Sequence, residues 1–236
     1  MRRQILALAL VAGIAAGPQV LAQDGEVTEV VITAQMRDEY DPSATPAIVL
    51  KRRADNLITE ISVICDTRDP AQRRAELRTT LRNLIRAAEK DPAIELGLGE
   101  EVVGRFDETM IDTIIGPFPK PDTEVARLIV KTRIQPGDTL DGATGRIKAF
   151  AKATPKAGRT EILLTEDWNL TLVRPDQYRG QIIDLVAKDS LQTAGAFGPG
   201  YGVQVEGLNL PVSWYQSGPL ELSLFIPYKM SVRRGE

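Results

Sequence analysis

Residues 57–89, LITEISVICDTRDPAQRRAELRTTLRNLIRAAE, are the stretch that decides the fold, because they predict one strand followed by one helix. In the first ten residues a more apolar set alternates with a more polar one, as in a strand with one face in a core. The more apolar set is Thr59, Ile61, Val63 and Cys65. We therefore predict a strand over residues 57–66 with this set facing inward.

The second part of the stretch begins with a helix start signal. Asp69 can accept amide hydrogens of the first turn, and Pro70 suits the first helical position because it has no N–H to leave unpaired. Large apolar residues then recur at spacings of three and four, which predicts a helix over residues 70–89 with one buried stripe. The stripe consists of Leu77, Leu81, Leu84, Ile85 and Ala88.

Four arginines recur at every fourth residue of this helix and form a row along it. They are Arg74, Arg78, Arg82 and Arg86, and they are the candidate interaction surface of the chain. One interpretation is a solvated helix face, neutralised by Glu76, Glu89 and acidic strands of the same or a neighbouring subunit. The other is that the row contacts an acidic partner in an assembly.

The N-terminus has the pattern of a secretory signal. Arg2 and Arg3 precede an apolar segment over residues 5–16, and small or tolerated residues precede a cleavage point after Ala22. We expect an exported protein, periplasmic if the source is Gram-negative, with no integral membrane span. Cleavage takes the formal net charge from −3 to −5, and this acidic balance argues against general nucleic-acid binding.

The composition excludes several chemistries. There is no histidine, which removes Ser-His-Asp and Cys-His catalysis, histidine zinc sites and histidine proton shuttles. Cys65 is the only cysteine, so no intrachain disulfide is possible, and its place on the apolar phase predicts a buried thiol. We predict no catalytic, cofactor or metal residues.

The rest of the chain alternates between strand and helix patterns. The further predicted strands are 29–35, 93–103, 124–134, 160–164, 169–173, 201–205, 208–215 and 220–232, and the further predicted helices are 140–153 and 175–197. Residues 110–115 fit either a strand or one helical turn. The strands 160–164 and 169–173 are expected to form a hairpin around Thr165–Trp168.

This order predicts an α+β fold, a largely antiparallel sheet with three main helices packed against it. We divide the chain into a signal peptide (1–22), an N-terminal strand and flexible segment (23–46) and a single domain (47–236). Two sub-lobes, 47–121 and 122–236, are an alternative within that domain.

The layout resembles the SIMPL-domain proteins over residues 27–207. The resemblance rests on the first strand Val30-Val31-Ile32-Thr33, the strand into Asp66-Thr67-Arg68-Asp69 with its helix, the strand 126–132, and the helix 175–197 followed by Gly200-Tyr201-Gly202-Val203-Gln204-Val205. It implies a periplasmic α+β domain without a known active site, from a family whose members form ring-like or channel-like oligomers.

A seven-residue segment, Glu29–Gln35, also resembles the TonB-box region that follows the signal peptide of TonB-dependent outer-membrane receptors. Two interpretations stay open. The segment is the first strand of the folded domain, or it is a docking strand of an accessory to TonB-linked uptake.

A carboxylate-based hydrolase is a further alternative, since acidic residues occur in two places. It would require two of Asp66, Asp69, Glu166 and Asp167 to oppose each other across a cleft. The glycine-rich residues 198–202 lie between a helix and a strand, the reverse of a phosphate-binding loop, so we read them as a helix stop. Trp168 and Trp214 are expected in core or sheet packing.

These patterns favour a non-catalytic exported envelope protein, a structural or interaction module that self-associates or binds an envelope protein partner. The supports at this level are the export signal, the absence of histidine and the SIMPL-like layout.

Overall fold

The structure is a computed structural model that describes residues 29–32, 46–99 and 103–234. The expected signal peptide at 1–22 and most of the expected flexible segment at 23–46 lie outside the described residues. The described strands are β1 (Glu29–Ile32), β2 (Leu50–Arg53), β3 (Asn56–Cys65), β4 (Ile94–Leu98), β5 (Gly104–Arg105), β6 (Ile115–Pro117), β7 (Glu124–Arg133), β8 (Thr160–Leu164), β9 (Asn169–Val173), β10 (Tyr201–Glu206), β11 (Ser213–Gly218), β12 (Glu221–Phe225) and β13 (Lys229–Arg234). The α-helices are α1 (Pro70–Lys90), α2 (Ile111–Ile114), α3 (Leu140–Ala153) and α4 (Arg179–Phe197).

The strand-helix unit of residues 57–89 is confirmed as β3 and α1. The predicted inward set of β3 is buried, because Ile61, Val63 and Cys65 belong to one apolar cluster. Asp69 caps α1 by accepting the amide of Gln72 at 2.7 Å. The α+β class is confirmed: helices pack against antiparallel sheets in the described chain.

The main sheet has eight strands, and all of its pairings are antiparallel. Its order is β1-β9-β3-β7-β4-β5, with β8 also beside β3 and β6 also beside β7. β3 pairs with β7 over all ten of its residues, from Asn56 opposite Arg133 to Cys65 opposite Glu124. The predicted first strand is confirmed over Glu29–Ile32, which pairs with β9, whereas residues 33–35 lie outside the described residues.

The predicted hairpin of β8 and β9 is wrong, although both strands have the predicted bounds. They lie end to end along the same edge of β3: β8 pairs with Ile61–Cys65 and β9 with Asn56–Ile58. Residues 165–168 bulge out between them, and Thr165 N–H donates to the Glu60 carbonyl at 3.1 Å. Thr165–Trp168 therefore interrupts one line of strand and does not reverse the chain.

Helices α1 and α3 cover one face of this sheet and close the first apolar cluster. The cluster joins the inward side chains of β3, β7 and β4 to the stripes of α1 and α3. Its fully buried helical members are Leu77, Leu81, Leu84 and Ile147. The predicted stripe of α1 is thus confirmed, and its fully buried members are the leucines.

A second apolar cluster lies between α4, β9 and a three-stranded sheet of order β11-β12-β2. Its fully buried members include Leu172, Ile182, Leu222 and Leu224. A two-stranded ribbon, β10 paired with β13, extends beside α4. Trp168 packs against both clusters, which confirms its expected packing role.

The two clusters do not follow the proposed division between residues 121 and 122. The first cluster contains Ile61, which precedes the division, and Ile147, which follows it. The second cluster likewise contains Leu57 and Leu222, one from each side. The strand pairs β3–β7 and β2–β12 also cross it.

Several predicted elements differ in detail from the structure. Residues 110–115 form both a helical turn and the start of a strand, because α2 runs directly into β6. The extended piece predicted from residue 208 becomes a strand only at Ser213, because the carbonyls of Leu208 and Leu210 accept hydrogen bonds from the Arg179 guanidinium. Leu185, a large apolar residue within the predicted helix 175–197, is exposed.

Within the residues that the structure describes, no helix combines the length and the apolar character needed to cross a membrane.

Replacing Leu81 by Ala should lower the free energy of unfolding by about 2–5 kcal/mol, because the fully buried side chain would leave a cavity between α1 and β3. Urea denaturation of the purified variant measures the loss. Leu163→Ala is the matched control: this leucine is 48% exposed in β8, so its loss should be within about 0.5 kcal/mol. Equal losses in the two variants would contradict the assignment of the α1 stripe to the core.

Candidate interaction surface

The arginine row of α1 is paired within the chain. Arg74 Nε donates to Glu124 at 3.0 Å, Arg78 Nε to Asp112 at 2.6 Å, and Arg82 Nε to Glu108 at 2.6 Å. Arg86 is exposed and continues the row towards the end of α1. Three of the four predicted surface arginines therefore form a ladder of ion pairs with a second part of the chain.

The acidic side of this ladder comes from the connection between β5 and β7. Glu108 lies in a 3-10 turn, Asp112 follows in α2, and Glu124 begins β7. Asp107 caps the 3-10 turn by accepting the amide and hydroxyl of Thr109, and these hydrogen bonds lower the pKa of Asp107. The ladder fastens this connection to α1 along a row of mostly exposed side chains.

The expected balancing role of Glu76 is wrong. Glu76 accepts hydrogen bonds from the Thr67 hydroxyl at 2.6 Å, the Cys65 thiol at 3.2 Å and the Arg159 amide at 3.1 Å. It lies on a different side of α1 from the row because it is two residues from both Arg74 and Arg78. The Thr67 hydrogen bond, followed by that of the Arg159 amide, lowers the pKa of Glu76 to about 2.

Gly158 is the position that lets the chain approach Glu76. Its φ is 53°, in the left-handed region, and a Cβ there would overlap the Glu76 carboxylate. Glu76 thus connects α1 to the segment between α3 and β8.

Arg73 is the residue of this helix that the sequence analysis missed. It is only 8% exposed; its Nη1 donates to the Thr67 carbonyl at 2.7 Å, and its Nε pairs with Glu124 at 3.3 Å. The available signal was its spacing of four residues from Leu77, which places it on the buried stripe. Glu124 therefore receives both the buried Arg73 and the exposed Arg74.

Two further carboxylates are held by arginine. Arg159 contacts Asp66 through Nε at 2.7 Å and Nη2 at 3.0 Å, and with Lys120 it lowers the pKa of Asp66 to about 2. Arg146 contacts both oxygens of Asp138, at 3.0 and 2.7 Å, and likewise lowers the pKa of Asp138 to about 2. These pairs fix the chain at the end of β3 and at the turn before α3.

The four carboxylates of the hydrolase hypothesis do not converge. Asp66 lies beside Arg159 just before β8, and Glu166 follows β8, so roughly 17 Å of strand separates them. Asp69 caps α1, and Glu166 pairs with Lys148 at 2.9 Å. Asp66 and Glu166 therefore do not face a common cleft.

The structure also places the cysteine, the glycine-rich segment and the second tryptophan that the sequence singles out. Cys65 is fully buried and donates its thiol proton to Glu76. Gly198 and Gly200 have φ values of 95° and 87° and end α4 before β10, which fits the predicted helix stop. Trp214 packs against the second cluster.

A groove of about 1920 Å³ opens at the opposite end of β3 from Asp66, between β2, the end of α1, β4 and β5. Phe106 and Tyr178 contribute its aromatic lining, which also includes both cations and carboxylates. Arg52 lies over the Tyr178 ring, 4.6 Å from its centroid. In the described part of the chain no group of three or more acidic, cysteine or histidine side chains is placed to hold a metal ion.

No protein-family model, curated protein or solved structure matches this chain. The function must therefore be argued from the residues themselves, and the SIMPL-like layout stays a prediction.

Arg73 and Arg78, both in α1, should differ in their importance for folding. Arg73→Met should lower the free energy of unfolding by about 3 kcal/mol, because it breaks a buried pair and leaves the Thr67 carbonyl without its donor. Arg78→Met should cost only about 0.2–1 kcal/mol, because its ion pair is exposed. Chemical denaturation of both variants measures this; a larger cost at Arg78 would contradict the assignment.

Acid should destabilise the fold between about pH 4.5 and pH 2. The folded pKa values of Asp66, Glu76 and Asp138 are about 2, below their ordinary values of 3.8, 4.5 and 3.8, so their contribution is present above those values and lost as the pH falls towards 2. Urea unfolding from pH 6 to pH 2 measures the fall.

Glu76→Gln provides the control for this pH dependence. The variant should be less stable than the wild-type chain at pH 6, and the two should converge as the pH approaches 2, where the wild-type carboxylate takes up its proton. A stability difference that stays constant over this range would argue against a role of the Glu76 charge.

Proposed function

We propose that this chain is a non-catalytic exported envelope protein, an interaction module that self-associates. The observation that carries the self-association is an uneven distribution of exposed apolar side chains. Six large hydrophobic residues of the described chain are exposed, and five of them lie between residues 185 and 210. They are Leu185, Leu191, Phe197, Tyr201 and Leu210. Phe197 and Tyr201 form an exposed aromatic pair with ring centroids 6.1 Å apart, and exposed apolar groups in contact are typical of a surface that binds another protein.

The second half of α4 carries two of these five residues, Leu191 and Phe197. Only Ile182 and Val186 are fully buried in this 19-residue helix, and both are in its first half. Phe197 is 57% exposed at its end, with its ring centroid 6.1 Å from that of Tyr201. A helix that buries so little of its length in its own chain is well placed to contact a second one.

The arginine row supports a structural role more than a docking role. Arg74, Arg78 and Arg82 are paired with carboxylates of the same chain, so an acidic partner would have to displace Glu124, Asp112 and Glu108. The proposal therefore assigns the interaction to α4 and its surroundings.

Export and the absence of catalysis are supported by the sequence. The first 22 residues have the secretory pattern, and the chain contains no histidine. Docking through residues 29–35 is not proposed, because the pairing of β1 with β9 favours the first-strand interpretation.

The mature chain, from residue 23, should form a reversible oligomer, which size-exclusion chromatography with light scattering over a range of concentrations measures. A strict monomer at the highest concentration would overturn the proposal. Phe197→Ser should weaken the association roughly 10- to 100-fold, because it removes an apolar side chain that the contact would bury.

The matched control is the double variant Arg78→Gln, Arg82→Gln. It should leave the oligomer unchanged, because these side chains have partners within the chain. Dissociation caused by the arginine variant and not by Phe197→Ser would move the interaction to the row.

A further inference from the structure

The ribbon beside α4 has two edges to which no other strand of the described chain is paired. β10 and β13 pair only with each other, from Tyr201 opposite Arg234 to Glu206 opposite Lys229. Gly207 ends β10 with a φ of 99° where a Cβ would lie 2.7 Å from the Pro227 carbonyl oxygen, so the base of the ribbon is tightly packed. An open edge presents backbone groups that a strand of another molecule can pair with.

The two edges differ in charge. β13 carries Lys229, Arg233 and Arg234 among its six residues, whereas β10 carries a single charge, Glu206 at its end. The edge strand β2 of the neighbouring sheet is also basic, with three consecutive cations at 51–53. Cationic side chains on an edge strand oppose its pairing with another strand. β10 is thus the edge of the ribbon that lacks this protection.

We propose that β10 is the self-association edge, and that the β10 strand of a second copy of this chain pairs with it antiparallel. This rests on the self-association proposed above and specifies where it occurs. The two ribbons then form one four-stranded sheet about a two-fold axis, and the basic β13 strands become its outer edges.

The alternation of β10 restricts the register. Tyr201, Val203 and Val205 share one face, and Gly202, Gln204 and Glu206 share the other. A two-fold axis at Val203 places Val203 opposite its own copy, Tyr201 opposite Val205, and Gly202 opposite Gln204. No like charges then face each other, and Tyr201, which is 43% exposed, gains an apolar neighbour. The same arrangement of β13 would bring six cations onto two neighbouring strands.

The continuity of the apolar surface supports the same edge. Phe197 at the end of α4 and Tyr201 at the start of β10 form an exposed ring pair, and α4 contacts β10 more extensively than it contacts β13. A second copy paired at β10 adds its own α4 to the same face of the sheet, so the Phe197–Tyr201 pairs of both copies lie beside the joint.

The test is the double variant Gly202→Glu, Gln204→Glu, which places glutamate opposite glutamate across the two-fold axis. Both residues are exposed, nothing lies within 4 Å of a Cβ built at Gly202, and within the ribbon the new side chains face Arg233 and Ser231, so the ribbon itself can accept the change. Light scattering at low salt should show a dissociation constant raised at least tenfold, with part of the loss recovered at high salt.

Ser231→Glu is the matched control, because Ser231 is the exposed β13 residue directly opposite Gln204 in the ribbon. It should leave the oligomer unchanged. An oligomer that resists the β10 variant, or that Ser231→Glu weakens equally, overturns the β10 assignment while self-association stands. A monomeric wild-type chain instead overturns the proposed function.

A crosslink provides a second measurement that does not depend on weakening the contact. Val203→Cys places two thiols directly opposite each other across the axis, within the Cα separation that a disulfide spans. Oxidised glutathione should give a covalent dimer of Val203→Cys and none of Ser231→Cys. Equal crosslinking of both variants, or crosslinking of Ser231→Cys alone, would overturn the assignment.

Discussion

The pairing of β3 with β7 over ten residues is the constraint on which the rest of the structure depends. It places alternate side chains of both strands on one face, where α1 and α3 cover them. The other edge of β3 is shared by β8 and β9, so this single strand sets the positions of three others. A slip of the β3–β7 register by one residue would turn Ile61 and Val63 away from the helices. It would also point Glu60 and Ser62 into the core. The fold therefore has one permitted register at its centre.

Local patterns were sufficient to predict the elements but not all of their partners. The alternation of β3, the cap at Asp69 and the spacing of the leucines in α1 are properties of neighbouring residues, and the structure agrees with them. The arrangement of β8 and β9 is not local. Two short strands separated by four residues fit a hairpin equally well, and only the length of β3, which accommodates both along one edge, decides between the alternatives.

The arginine row shows the same limit for a candidate site. Its spacing predicts that four cations lie along one helix, but its partners Glu124, Asp112 and Glu108 are 50, 34 and 26 residues away. Glu76 was expected to neutralise the row because it is close to these arginines in the chain. A spacing of two residues from Arg74 and Arg78, however, places it on another side of the helix. Arg73 was missed for the opposite reason. Its spacing from Leu77 predicts burial, but a charge is not expected there until the Thr67 carbonyl and Glu124 are placed beside it.

Charge is distributed unequally between the two halves of the molecule, and this difference is the basis of the proposed self-association surface. Around α1 the cations have partners: the ladder, Arg73 with Glu124, and Arg159 with Asp66 each join α1 or β3 to a distant connection. Around α4 the fully buried contacts stop after Val186, and exposed apolar residues replace them. Basic side chains then line β2 and β13 but not β10. An edge strand without cations, beside a helix with exposed apolar residues, is a liability in a monomer, and it is the expected composition of a surface that a second copy covers.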